Sequence, residues 1–290
     1  MCADNGVVAE GVSQSGQEVT AVVAGFMGQQ ASSVGKMARR AGVDVIPVDI
    51  GINTKETLPG VRDCKVMQGT RDFLQEPAMT EEEALQALSV GIDLVRECKD
   101  KGYQLIGTGE MGIGNTTTST AVAAALLDLE VEQVTGKGAG LTDEALKRKC
   151  RVIKEAIEKY SLRDADAFTI LKTVGGLDIA GLTGVFIGAA IEQIPVVIDG
   201  VISAVAALLA ETLCKDAVNY MIPSHKSREL AETAIMKKLH LDPVLDADMA
   251  LGEGTGAVMM MSLLDVALGV YLQGASFANF EIEQYKRYEE

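Results

Sequence analysis

Tryptophan is absent from this 290-residue chain, and aromatic residues make up only 4% of it, whereas glycine occurs 30 times. That balance argues against a β-sandwich and for tight strand-to-helix turns with closely packed helices. The five cysteines (Cys2, Cys64, Cys98, Cys150, Cys214) are scattered without a C-x-x-C pair, and the chain has only two histidines, His225 and His240. A structural zinc site therefore lacks its ligand spacing, and the scatter fits a reducing, cytoplasmic compartment. Ile194–Ile198 is too short to span a bilayer, and the apolar stretch 201–210 is bounded by Asp199, Gly200 and Glu211. The first twenty residues hold no apolar core of a signal peptide. Positive charge is scarce, 26 Lys and Arg against 41 Asp and Glu, for a net charge of -15. Nucleic acid and anionic membranes need a basic face, so neither is an expected partner. Any phosphate held by this chain needs local positive potential from helix N-termini, backbone N–H groups and a few placed cations.

What is present alternates strands with helices. Hydrophobic residues at 48% and charged residues at 23% give a full globular core, and the length suits one large α/β domain with at most a small appendage. The opening Met1-Cys2-Ala3-Asp4-Asn5-Gly6 reads as the end of a strand entering a loop, and an upstream segment is expected to be missing. Helix spacing runs from Val19 to Ala41 and stops at Gly42. Val43–Asp49 reads as a buried strand. Thr80 followed by Glu81-Glu82-Glu83 opens a helix that runs to about Lys101. Tyr103–Gly107 is the next strand, followed by helices from about Asn115 and from Thr142 to Tyr160. Ala180–Ile191 is an apolar helix dotted with glycine, and Ile194–Gly200 is the strongest buried strand, with a small-residue helix behind it. Tyr220–Ile222 is a short strand leading to Ser224-His225. The pattern predicts a Rossmann-like parallel sheet with helices on both faces, and ligands in such sheets bind beyond the carboxyl ends of the strands.

Two glycine-rich segments fall at those ends. Gly107-Thr108-Gly109-Glu110-Met111-Gly112-Ile113-Gly114-Asn115-Thr116-Thr117-Thr118 lets the backbone pass close to a ligand and ends in an Asn/Thr cluster suited to a helix N-terminus. It is neither a Walker A loop nor a G-x-G-x-x-G fingerprint. A tight turn with a structural cap would use the same residues, but Glu110 is out of place in an anion loop unless it meets a proton or a cation. Leu251-Gly252-Glu253-Gly254-Thr255-Gly256 puts a second carboxylate between glycines, free to face a ligand or simply to cap the helix that follows. Asp199 and Ser203 stand at the end of the central strand, where Asp199 either reaches a ligand or caps the next helix.

The run Gly109–Thr117 resembles the signature of the nicotinate-nucleotide–dimethylbenzimidazole phosphoribosyltransferase (CobT) family. Asp4-Asn5-Gly6-Val7 with Gly11-Val12-Ser13, Gly175–Ala180, Ile194–Gly200, Ser224-His225 and Leu251–Gly256 match in family order across essentially the whole chain. The resemblance implies transfer of ribose 5-phosphate from nicotinate mononucleotide to a benzimidazole, without metal or bound cofactor. It implies Glu253 as general base, with Glu110 as the second acid. It places the phosphate and ribose on Gly112, Ile113, Gly114, Asn115, Lys149, Gly138 and Ser224, and the base near Ser13, Gln14, Met111 and Leu251. Without it, Lys149 reads as a solvated helix charge and His225 as a structural hydrogen-bonder. His240 reads as a cation at a helix C-terminus. Two features depart from the family pattern. Lys137 and Ala139 replace an expected Arg and Thr in the Gly136–Gly140 loop, and Gly11–Gly16 lacks an aromatic and a proline, which leaves the accepted base open. The resemblance also implies several tens of residues before Asp4, and a cytoplasmic homodimer with a catalytic domain over residues 1–256. Residues 257–290 would then form a helical segment of a small domain, although a core helix explains the same apolar residues. A hydrolase using Glu253 on water, and a catalytically impaired or regulatory nucleotide-binding homologue, are the alternatives.

Overall fold

A computed structural model describes residues 1–138, 140–280 and 283. Three parallel strands, β1 (Cys2–Ala3), β2 (Val48–Gly51) and β3 (Arg62–Asp63), pair in that order. Three more, β4 (Ile106–Gly107), β5 (Val196–Ile198) and β6 (Met221–Pro223), form a second parallel set. Met111, just past β4, joins the two: Ala3 donates to its carbonyl and its own N–H donates to Met1, each at 3.0 Å. A parallel pair, β7 (His225–Ser227) and β8 (Leu245–Met249), lies beyond β6. The helices in chain order are α1 (Glu18–Gly28), α2 (Ser33–Ala41), α3 (Glu81–Asp100), α4 (Asn115–Leu126), α5 (Val131–Val134) and α6 (Asp143–Lys159). They continue with α7 (Ala167–Val174), α8 (Leu177–Glu192), α9 (Val201–Leu213), α10 (Leu230–Leu239) and α11 (Thr255–Gln273). The expected Rossmann-like parallel α/β architecture is present.

Most boundaries follow local chemistry. Thr80 and Glu83 close a reciprocal capping box at the start of α3, Thr142 caps α6, and Gly42 ends α2 at φ 69°. Two expectations need correction. The single helix over Val19–Ala41 is broken, because Gln30 turns to φ 54° and Ser32 accepts from Gly35 N–H at 3.2 Å to begin α2 afresh. The strand expected at Val43–Asp49 forms its ladder only from Val48, since Pro47 has no N–H to donate. His240 is the left-handed C-cap of α10, at φ 55°. The pair β7–β8 and helix α7 had no counterpart in the sequence reading.

Helix α11 is long and apolar enough to cross a membrane by length and composition. Its first two turns are buried against the end of the sheet through Ala257, Val258 and Met260, while Val266, Val270, Tyr271 and Leu272 are exposed. Residues 281–282 and 284–290 of the expected C-terminal segment lie outside the described residues.

Helices α3 and α8 pack backbone to backbone. A Cβ on Gly91 would stand 2.0 Å from Gly181 O and 2.6 Å from Val185 N. Gly91→Ala is therefore expected to force the helices apart and destabilise the protein by about 1–3 kcal/mol. Urea denaturation checks this, and an unchanged midpoint would show that the pair slides apart freely.

Candidate active site

The loop leaving β4 is anchored before it reaches any functional residue. Thr108 donates to Val197 O through its N–H at 3.0 Å and its hydroxyl at 2.9 Å. Gly109 follows, with its carbonyl accepting from the Met1 ammonium at 2.9 Å. A Cβ on Gly109 would lie 2.8 Å from both Glu253 O and Gly254 Cα, so the two glycine-rich segments touch along their backbones. On the other side of this contact, Gly252, Glu253 and Gly254 all adopt left-handed φ, at 79°, 62° and 90°.

The two carboxylates emerge on either side of the contact and line one cavity of about 560 Å³, together with Val34, Thr108, Ala257 and Val258. Glu253 accepts from Val34 N–H at 3.1 Å, so its carboxylate sits on the positive end of α2. Glu110 accepts from the Asn115 amide, which also donates to Asp178 Oδ2 at 3.1 Å. Burial raises the Glu110 carboxyl to about 7, and the nearby Asp178 charge adds to the rise. Asp178 itself, fully buried in the first turn of α8, is pushed up to about 6, chiefly by burial. Asn115 therefore joins two acids instead of capping α4 with its side chain. The N-cap position of α4 belongs to Gly114, at φ 94°.

On the far side of α4, Lys149 is completely buried, contrary to the solvated helix charge that composition alone suggests. Its ammonium donates to Thr116 Oγ1 at 3.0 Å and Gly136 O at 3.2 Å. Burial lowers its pKa to about 8, partly opposed by Glu229. Gly138, at φ 52°, faces Thr116, where a Cβ would come within 3.0 Å of the hydroxyl. Gln14 donates to Gly140 O at 2.5 Å and Arg148 to Gly11 O at 3.1 Å, which ties the Gly11–Gly16 stretch to this corner. Ala139, one of the two departures in the Gly136–Gly140 loop, lies outside the described residues.

The sequence-predicted residues thus fall into groups. Glu110, Glu253, Gly112 and Asn115 are contiguous around the loop after β4. Met111 packs against the apolar cluster of Met27, Val34 and Val258 and, like Leu251, lies outside the cavity lining. Lys149, Gly138 and Gln14 gather beyond α4. Two of the expected phosphate donors are already engaged, since Ile113 N–H donates to Thr20 Oγ1 and Asn115 N–H to Gly112 O, each at 3.1 Å. Leu251 is 58% exposed and lies outside the cavity lining, and Ser13 accepts from Ser15 N–H at 3.3 Å within its own turn. Ser224 donates to Asp199 O at 3.0 Å and lies 2.9 Å from His225 Nδ1. Sequence reasoning gave no role to Asp178, Thr116 or the Val34 N–H. Asp178 lay within a quoted motif, but Val34 was hidden inside the helix that proved to be two. Among the described residues no three His, Cys, Asp or Glu side chains cluster as a metal site would need.

A parallel α/β sheet with two carboxylates and a buried lysine at its carboxyl rim is the frame of a group-transfer enzyme. Residues 1–282 match the family model described as phosphoribosyltransferase. The nicotinate-nucleotide–dimethylbenzimidazole phosphoribosyltransferases of Clostridium acetobutylicum and Ruminiclostridium cellulolyticum are 47% and 44% identical over 286 residues, covering 99% of this chain and 81% of each relative. The crystal structure of CobT from Thermus thermophilus superposes with a TM-score of 0.92 at 36% identity, over 98% of this chain and 85% of that one. The chain belongs to the nicotinate-nucleotide–dimethylbenzimidazole phosphoribosyltransferase family, a family of pentosyltransferases of cobalamin synthesis.

Folding favours the protonated form of Glu110, because its folded pKa lies above the ordinary 4.5. That stabilisation is complete below the ordinary value and is lost as pH rises through about 7. Glu110→Gln removes it. The melting temperature of wild type relative to this variant is expected to be higher at about pH 5 than at about pH 8. Parallel pH–melting curves for the two proteins would show that Glu110 does not titrate in this range.

Proposed function

We propose that this protein transfers ribose 5-phosphate from nicotinate mononucleotide to 5,6-dimethylbenzimidazole or a related base, giving α-ribazole 5′-phosphate and nicotinate. The observation that carries the proposal is that Glu110 and Glu253 line one cavity, with Glu110 hydrogen-bonded to Asn115 at the start of α4. The names of the relatives supply the substrates. The nicotinate ring of the donor is a cationic pyridinium, so it leaves with the bonding pair and becomes neutral without a general acid. The unprotonated nitrogen of the benzimidazole attacks C1′ from the opposite face, converting a β-linkage to an α-linkage. The other ring nitrogen becomes acidic as that bond forms, and Glu253 takes its proton. Glu110, partly buried and hydrogen-bonded to Asn115, orients the base or favours positive charge at the ribose.

The phosphate lies towards the N-terminus of α4, where Lys149 and Thr116 supply donors beside Gly112, Gly114 and Gly138. The engaged N–H groups of Ile113 and Asn115 shift weight onto Lys149. Met111 packs behind the cavity wall, against Met27, Val34 and Val258. Ser13, Gln14 and Leu251 belong to segments that would have to close over the base, and Ser224 lies at the substrate edge. We place the enzyme in the cytoplasm as a homodimer, with the exposed face of α11 within the dimer contact and residues 257–290 in a small helical domain. Residues 1–256 form the catalytic domain.

The direct test is a product assay by mass detection, with nicotinate mononucleotide and a panel of benzimidazoles, purines and phenols. Nucleotide loss that requires an added base supports transfer, whereas loss in water alone would make the protein a hydrolase. Glu253→Gln is expected to bind both substrates yet lose at least about 100-fold in kcat, within the range of general-base contributions. Wild-type turnover in that variant would remove Glu253 from the chemistry. Lys149→Met is expected to raise KM for nicotinate mononucleotide about 10- to 100-fold, the worth of one charge-assisted hydrogen bond. An unchanged KM would place the phosphate elsewhere.

A further inference from the structure

The N-terminus of α11 follows Glu253 directly and carries the N–H groups of Gly254, Gly256 and Ala257. A helix N-terminus of this kind can hold an anion. Its donors are instead taken by a side chain from the neighbouring strand. Asp199, buried at the end of β5, accepts from Gly254 N–H at 3.1 Å through one carboxylate oxygen. Its other oxygen accepts from Gly256 N–H at 2.7 Å and Ala257 N–H at 3.1 Å. Asp199 therefore caps α11 and not the helix that follows it in sequence, α9.

The same residue is fixed from behind by the sheet. Its N–H donates to Thr108 Oγ1 at 3.3 Å, and its carbonyl accepts from Ser224 Oγ at 3.0 Å. One residue thus links the ends of β4, β5 and β6 to the first turn of α11. Directly before that turn stands Glu253 at φ 62°, a left-handed conformation that is unfavourable for a residue with a Cβ. Such a conformation persists only when its surroundings over-determine it. The Gly254 N–H belongs to the peptide that sets the ψ of Glu253, and Asp199 holds it. The Val34 N–H holds the carboxylate at the other end.

We infer that Asp199 is a positioning residue for Glu253, pinning the left-handed Gly252-Glu253-Gly254 turn so that the base carboxylate stays in the shared cavity. The inference rests on the general-base role proposed for Glu253. Asp199 touches no reacting atom, since its carboxylate is spent on the α11 N-terminus. Asp199→Asn keeps the shape and one carbonyl oxygen. The amide nitrogen then faces donors it cannot accept from, which releases part of the turn.

The test is a double-mutant cycle of Asp199→Asn with Glu253→Gln, reading kcat, KM for both substrates and the melting temperature. Asp199→Asn alone is expected to lower kcat about 10- to 100-fold with KM for nicotinate mononucleotide unchanged, the scale of an approximately 1 Å misplacement of a catalytic group. In the Glu253→Gln background it is expected to lower kcat no further, because residues acting as a unit are not additive. Asp199→Glu, which restores the carboxylate, is expected to recover part of the loss. It replaces Asp199→Asn in the cycle if that variant does not fold. Wild-type kcat in the single Asp199 variant, or an equal additional loss in the Glu253→Gln background, would overturn the inference. Wild-type turnover in Glu253→Gln alone would instead remove the reading beneath it.

Discussion

The backbone contact between Gly109 and the Glu253–Gly254 peptide is the constraint on which the rest of the site depends. A Cβ at Gly109 would come within 2.8 Å of main-chain atoms, so the two carboxylate-bearing turns can meet only because neither carries bulk at the crossing. Gly252 completes the approach, since a Cβ there would lie 2.6 Å from Glu110 Oε1. Once these segments touch, Glu110 and Glu253 cannot leave the rim of the sheet without unpacking it. Their common cavity follows from backbone geometry before any side-chain attraction is considered.

The same geometry resolves a conflict in the charge balance. A chain with net charge -15 offers no general attraction to a phosphorylated substrate, so the positive potential has to be local. It is concentrated at the start of α4, where Lys149 is buried against Thr116 and Gly136. Burial makes this ammonium costly and lowers its pKa to about 8, and the site keeps it charged only in company with acceptors or an anion. The N-termini of α2 and α11, which could attract the same anion, are already answered by Glu253 and Asp199. Of these three helix N-termini, that of α4 alone takes no side-chain cap, which is the end the proposed function gives to the phosphate.

Much of this was legible in the sequence, and the reasons are local. Helix ends with their own chemistry, such as Thr80, Thr142 and Gly42, declared themselves. So did the strand–loop–helix run around Glu110, because glycine spacing and β-branched runs depend on neighbours in the chain. Features set by partners distant in sequence did not. Lys149 looked like a surface charge because nothing within α6 reveals that Gly136 and Thr116 close over it. Asp199 looked like a cap for α9 because the three N–H groups it serves lie more than fifty residues downstream. The break between α1 and α2 was hidden because its cause, the left-handed turn at Gln30 and the cap at Ser32, interrupts an otherwise continuous helical pattern.

The acids gathered at the rim give the site its chemical bias. Glu110 and Asp178 share one amide donor, Asn115, and burial raises both carboxyls. Asp199 lies close enough to Glu110 to raise it further. In a low-dielectric pocket such acids cannot all ionise cheaply, and the state they oppose least is one in which positive charge enters among them. In the reaction proposed above, a pyridinium donor brings such charge to the ribose, and displacement moves it through C1′ onto the incoming base. The carboxylates are then least costly when the transferred ribosyl centre is most cationic. In the proposed reaction, the electrostatic strain of these acids becomes stabilisation of the transition state, on the scale that fixed charges reach when water is excluded.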